Sequence, residues 1–598
     1  MRLATLTAGQ FVETGGYYTK GDAGQAKYLI VAAQTADGYG DHTLANGTVA
    51  VLQFSNGEIN LNQMGIIDDG SDQSVIMQAV FDYCQSNNIK NIVFSTNVLL
   101  NNRVNYSGVA DLNINLNGYE LKVNNSQTTD PYLAAGFYMN GGVGTANLTI
   151  FNGKYSGDNS FSVLVSSAIL YKQDGWAVGG YATRTVDTLN YTTNRGACVI
   201  YDIKAVDSLG MVCFLTNTPA KISNVTTKDV TNTSNNGVFN VRFTDEVIYE
   251  NCMVENWTGK AYNTSYVKAV NYFNLHTKEK NTDTTSDLSF YFGHFVGLCI
   301  GTKLIEHGQA DGQLFGSCGK VSYWAEEVYI NECVVNSKNQ GWFLQGVQRC
   351  DITNLRGICT KDAINCGSHT THGQIDNTTI NLNDINVDGG SMADSTYMYD
   401  FDQVDTDPVT LIQAELYVNN LFTTGRVLYS SVNQRQGSNL TIIDDGVGDS
   451  GAGQAVKVDN MLDYWYGDVY LDCSGLTGGS AIYFNGRDVD TTIGLTVGGK
   501  AYPAIQFHSQ VSTFQNIDFN YVGKIDNLTT DTYELVGSGL DFPGVMDVKQ
   551  SISEQVGTAR PDLMGYGVQS FYDGNIGKII YNDYINASGW VDALGTSV

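Results

Sequence analysis

The chain has 598 residues, 33 basic and 61 acidic side chains for a formal net charge of −28, and 65 Gly, 36 Tyr and only 6 Pro. Such a length exceeds one ordinary globular core, and strand formers with tight-turn residues dominate, so an elongated all-β architecture is expected. The charge excludes a nucleic-acid partner, which needs clustered Lys and Arg, and no apolar run reaches the roughly 18–20 residues of a membrane span, so no membrane insertion is expected.

Residues 1–62 read as a small β module of short strands and Gly-rich turns, from Gly15-Gly16-Tyr17-Tyr18 to Gly47-Thr48-Val49-Ala50-Val51-Leu52. No charged segment followed by a long apolar stretch opens the chain, so no secretory leader is expected. Residues 63–110 carry the one clear helix signal. After Asp68-Asp69-Gly70, Ser71 or Asp72 can cap, and Val75, Ile76, Ala79, Val80 and Tyr83 fall on one face at helical spacing. Short β runs follow at Asn91–Phe94 and Val98–Leu100.

Residues 111–400 repeat a motif in which a polar residue, often Asn or Asp, precedes an apolar anchor. Examples are Ile200-Tyr201-Asp202-Ile203, Ile222-Ser223-Asn224-Val225, Ile352-Thr353-Asn354-Leu355 and Leu382-Asn383-Asp384-Ile385, with further anchors at Cys252 and Cys333. Spacings of 22–30 residues mark a β-solenoid. The 81 residues between Cys252 and Cys333 equal three coils, or fewer with a long excursion through residues 277–287. A second excursion, 172–195, contains Trp176. After about residue 400 the anchors weaken, which suggests a differently packed C-terminal β region at 401–552, then a terminal segment at 553–598. The 11 Cys, an odd number and several in apolar runs, are read as reduced and buried. His369-Thr370-Thr371-His372 lacks a Cys pair at zinc spacing, so neither metal nor cofactor is expected.

Gly65-Ile66-Ile67-Asp68-Asp69-Gly70-Ser71-Asp72, followed by the helix and Asn91-Ile92-Val93-Phe94, resembles the start of pectate-lyase-like right-handed parallel β-helices. Phe11-Val12-Glu13-Thr14-Gly15-Gly16-Tyr17-Tyr18 with Asp37-Gly38-Tyr39-Gly40 is similar to the N-terminal neck of phage tailspikes. Gly557-Thr558-Ala559-Arg560-Pro561-Asp562-Leu563 and Gly589-Trp590-Val591-Asp592 look like a terminal segment of phage tail and spike proteins. The resemblance implies a homotrimer on the virion that binds and depolymerises a host-surface polysaccharide and is held by another tail or baseplate protein. The large virion-anchoring module that precedes the neck in that family is not read in these residues, so attachment is expected through residues 1–62 or another tail protein, or the sequence is a trimmed piece of a longer chain.

Glycoside hydrolysis needs two carboxylates, about 5–5.5 Å apart for retention or about 6.5–9.5 Å for inversion. Seven residues before Cys252 and Cys333 stand Asp245 and Glu326, and six before stand Glu246 and Glu327, so one corner carries acids in two coils. Strand alternation places Arg242, Tyr323 and Gln345 outward beside them as sugar-binding candidates, with Trp176 and Trp257 as rings for stacking. Glu306, followed by His307, is a rival catalytic acid, as are Asp311 and Asp158. Two alternatives stay open: a lyase on a uronic-acid glycan, with Arg242 or Lys320 neutralising the substrate, and a spike that binds without cleaving.

Overall fold

The computed structural model describes residues 5–54, 57–125, 134–139, 146–158, 162–167, 196–230, 237–280, 288–293, 296–309, 317–322, 325–337, 340–345, 347–359, 363–367, 379–388 and 399–400, and the strands from Ala414 onward, these last as backbone alone after Thr423. Two compact units result: residues 1–179 with 184–299, and residues 180–183 with 300–598.

The first unit opens with a four-stranded antiparallel sheet in the order β1-β2-β4-β3, formed by β1 (Phe11–Glu13), β2 (Lys27–Val31), β3 (His42–Thr43) and β4 (Val49–Gln53). Alternation along β2 buries Tyr28 and Ile30. Helix α1 (Ser74–Ser86) begins later than the sequence suggests, with Gln73 rather than Ser71 or Asp72 at its cap. Asp72 instead accepts the Ser74 and Asn101 backbone N–H groups, each at 3.0 Å, and so ties the helix to the next turn of chain. The buried stripe is Met77, Val80, Phe81, Tyr83 and Cys84, so Val80 and Tyr83 face inward as expected while Val75 is 68% exposed.

Each following coil contributes strands to three parallel sheets, here A, B and C. In sheet A, Ile92, Ile114, Ile150, Ile200 and Ile222 stack in register, then Tyr249 and Tyr272. In sheet B the column is Val98, Leu121, Tyr155, Ala205, Thr227 and Val254. Sheet C aligns Val104, Phe137, Val165, Cys213, Phe239, Tyr262 and Phe290. These inward columns are buried, and like stacks on like: the Phe239, Tyr262 and Phe290 rings follow one another at 5.3 and 5.4 Å, nearly parallel. Side chains thus meet identical surroundings from coil to coil, and this is the fold of a parallel β-helix.

The polar residue before each anchor is the corner between sheets A and B. Asn152, Asp202, Asn224, Asn251 and Asn274 have φ of 52–60°, a left-handed region that Asn and Asp tolerate better than most residues. Their side chains form a ladder, with the Asn224 amide donating to Asp202 Oδ1 at 3.1 Å and the Asn274 amide to Asn251 Oδ1 at 2.7 Å. The 81-residue interval resolves into corners at Asn274, Lys303 and Glu332, hence three coils.

The second unit repeats the scheme. Sheet A stacks Ile330, Ile352, Leu382 and Val418, Asn354, Asp384 and Asn420 occupy the left-handed corner, and sheet C aligns Val321, Leu344 and Cys366. Gly319 is required there, because a Cβ would fall 2.0 Å from the Trp342 ring. Parallel pairing continues past residue 400 as far as Met546–Gln555 with Ser570–Asp573, and among the described residues of this unit antiparallel pairing appears only at Ser570–Asp573, Lys578–Asn582 and Trp590–Asp592. Register shifts at Leu416/Tyr417, Ser438/Leu440, Val489/Thr491 and Gly523/Lys524 explain why the anchor motif fades while the ladder persists. The nine described cysteines are buried and in no disulfide, with burial holding the Cys84, Cys213 and Cys252 thiols up at about 12. Among the described residues no helix is long and apolar enough to cross a membrane.

Candidate functional site

Because Cys213, Phe239, Tyr262 and Phe290 point inward, their neighbours Phe214, Asn240, Asn263 and Tyr291, also in register, point outward from sheet C. Outward residues of a solenoid usually meet water, yet these four are 0–6% exposed. Beside them run Thr216, Arg242 and Ser265, again aligned across coils. The outer face of sheet C in the first unit is therefore a covered wall of amides, hydroxyls and rings. Arg242, only half-buried, is where this wall reaches solvent.

The wall is partly wired to itself. Arg242 Nε donates to Asn240 Oδ1 at 2.9 Å, and its guanidinium carbon lies 5.6 Å from the Phe214 ring centre. Ser265 Oγ donates to Asn263 Oδ1 at 3.3 Å, and Lys260 Nζ sits 3.7 Å over the Tyr291 ring. Asn263 Nδ2 is buried with no hydrogen-bond partner, which leaves one donor directed to the wall unsatisfied. A buried unmet amide N–H costs about 1–3 kcal/mol and calls for an oxygen acceptor.

Past Arg242 the chain turns into sheet A through Phe243, whose φ is 53°, and in the next coil through Tyr266 at 57°. Immediately beyond lie Asp245 and Glu246, both exposed, with Asp245 Oδ1 2.9 Å from Lys268 Nζ. The sequence thus locates Arg242 and the acids at one strand end, on either side of a tight corner.

In the second unit the outward column of sheet C is Lys320, Phe343 and Asn365, all half-buried. Lys320 Nζ lies 4.8 Å from the Phe343 ring centre, and burial pushes its ammonium below the ordinary lysine range. Glu326 is half-buried and Glu327 exposed at the start of the following sheet A strand. Tyr329 donates its hydroxyl to Glu327 Oε2 at 3.2 Å; Glu327 stands in register with Arg349, which binds Asp351 at 3.0 Å. Three corners separate Asp245 from Glu326 along the chain, and the two belong to different units.

Other candidates fall elsewhere. Glu306 is 1% exposed and its Oε2 accepts the Asn336 backbone N–H at 3.2 Å, an interior position closed to a polymer at the surface. Trp257 is 1% exposed, in line with buried Val230, so its ring fills the interior rather than offering a face to sugar. Asp158 pairs with Lys122 at 2.9 Å on the surface. Trp176, Tyr323, Asp311 and His369–His372 lie outside the described residues, as do the side chains of Gln345 and His307. Sequence reasoning named Lys320 but missed Phe214, Asn240, Asn263 and the Phe343 and Asn365 that align with Lys320. The signal was present in Met211-Val212-Cys213-Phe214-Leu215-Thr216, a continuous apolar run that denotes a strand covered on both faces.

No family model matches the chain, and no curated protein matches it. Among solved structures it is similar to the enzymatically active domain of tailspike protein 2 of bacteriophage CBA120, at 9% identity and a TM-score of 0.42, covering 73% of this chain and 59% of that one. Full-length tailspike protein 2 of the same Escherichia coli O157:H7 phage gives 11% identity and a TM-score of 0.36 over 74% of this chain and 54% of that one. Tailspike gp49 of Acinetobacter baumannii phage Fri1, described as a capsular polysaccharide depolymerase, gives 12% identity and a TM-score of 0.19 over 87% and 73%. The matches span a little over half the length of the first two, and the parallel β-helix assignment of this chain stands on its own strand registers.

Proposed function

We propose that this chain is a phage spike protein that works as a homotrimer at the bacterial surface. It binds host O-antigen, capsule or exopolysaccharide at the solvent edge of sheet C beside Arg242 and cleaves within the polymer by hydrolysis. The observation that carries this reading is the half-buried Arg242, where the covered wall reaches solvent, just before the exposed Asp245 and Glu246. Sugars present hydroxyls to charged and polar side chains, and this edge offers a guanidinium and two carboxylates. The proposed carboxylates are Asp245 with Glu246 at the corner of the first unit and Glu326 with Glu327 at the corner of the second, each corner by itself offering an acid for the leaving oxygen and a base for water.

Lyase chemistry is the second reading, and Lys320 favours it. A lysine whose ammonium is destabilised by burial gives up its proton more readily than an exposed one, as a base requires. The test measures retention of purified capsule or O-antigen on the immobilised protein. Arg242→Ala is expected to weaken retention at least tenfold with unfolding unchanged. Unaltered retention in this variant contradicts the assignment of this edge.

A further inference from the structure

The N-terminal β module contains a cavity of about 950 Å³ that the β-helix does not use. Its walls include the rings of Tyr17, Tyr18, Tyr28, Tyr39 and His42. Tyr17 and His42 meet edge to face at 5.6 Å, Tyr28 and His42 lie 5.8 Å apart, and Tyr17 and Tyr18 lie 4.8 Å apart. Two hydroxyls are tied back to the chain, Tyr17 donating to the Tyr39 carbonyl at 3.3 Å and Tyr18 to the Gly65 carbonyl at 3.0 Å. What these residues offer a ligand is therefore ring surface. Tyr18 is 58% exposed, a large ring open to solvent at the rim.

The wall is rigid before any ligand arrives. Asp22 accepts four backbone N–H bonds, from Tyr17 at 2.9 Å, Tyr18 at 2.7 Å, Thr19 at 2.9 Å and Gly24 at 3.0 Å. Gly16 admits the tight loop, since a Cβ would fall 1.7 Å from the Thr19 carbonyl oxygen. Preorganised rings lose little entropy on binding. Charge in the lining is balanced, with Glu13 against Lys20, in a chain whose net charge of −28 repels anions at long range. The volume suits a small ligand, whereas a protein partner needs about 800 Å² of each surface.

We propose that this cavity is a second carbohydrate site, selective for a short neutral oligosaccharide whose ring faces stack on Tyr18 and Tyr39, separate from the face of sheet C. The site stands on its own geometry and survives if the β-helix face proves to bind nothing. Saturation-transfer NMR on the full chain, with maltotriose, cellotriose, chitotriose and trigalacturonate as probes, tests it. At least one neutral trisaccharide is expected to bind, trigalacturonate is not, and Tyr18→Ala is expected to weaken binding at least tenfold. Tyr18→Phe, which keeps the ring and loses the bond to Gly65, is expected to retain it, and Arg242→Ala to leave it untouched. Binding of none of the neutral probes, binding unchanged by Tyr18→Ala, or binding abolished by Arg242→Ala overturns the proposal.

Discussion

Phe243 and Tyr266 stack at 4.4 Å, 3° from parallel, while both occupy left-handed backbone at the same corner of successive coils. Aromatic residues rarely adopt that conformation, and each instance costs on the order of 1–3 kcal/mol that the surrounding coils must offset. The corner sits between Arg242 and Asp245, so it sets how the covered wall and the exposed acid face each other.

Strain at this corner reverses an ordinary preference. Phe243→Ala keeps the unfavourable φ and loses the stack, so a loss of about 3–5 kcal/mol is expected. Phe243→Gly loses the same ring but removes the strain, and is expected to cost about 1 kcal/mol less than the alanine variant. Chemical unfolding of both variants checks the order; alanine proving the milder substitution refutes it.

The ladder at the other corner makes a similar prediction with smaller stakes. Asn274 combines a φ of 52° with a 2.7 Å bond to Asn251 Oδ1. Asn274→Ala is expected to destabilise by about 1–2 kcal/mol, from a lost hydrogen bond and an added backbone penalty, and Asn274→Gly by about half as much. Equal effects from the two would mean that backbone conformation contributes nothing there.

These corners were legible in the sequence because one side-chain type recurs where one backbone conformation recurs. Asp202, Asn224, Asn354 and Asp384 announced the repeat before any coordinates. The reading faded after residue 400 because bulges shift the register, and the start of α1 was placed early because Asp72 bonds the next segment as well as the Ser74 N–H. Outward Arg242 followed from alternation, but Asn240 and Asn263 did not: a polar residue on an outer face looks the same in sequence whether water or other chain covers it.

Asp22 governs the acid response of the N-terminal module. Burial pushes its carboxyl up, but the four backbone N–H bonds together outweigh this and hold it at about 2. A depressed carboxyl stabilises the fold above its unfolded value near 3.9, and that contribution is lost as pH falls through about 2. The Asp22 carboxyl carbon, followed by NMR, is expected to stay ionised at pH 3. Titration near 4 would show that the loop bonds are not formed in solution.

Closed symmetry is the usual way for a solenoid to cover apolar surface left by its coils, and a trimer is the form proposed for this one. Light scattering is expected to give three times the 65.0 kDa chain mass. A stable monomer at micromolar concentration contradicts the homotrimer.

Cleavage itself is decided by product analysis. Purified surface polysaccharide from a strain that the protein adsorbs to is incubated with parent, Asp245→Asn and Glu326→Gln proteins, then sized and weighed by mass spectrometry. The account predicts that the parent shortens the polymer to fragments carrying added water, and that one of the two variants, the one at the working corner, slows this by orders of magnitude while still binding. Polymer that stays full length in the presence of bound parent protein, or fragments ending in an unsaturated uronic acid, would contradict it.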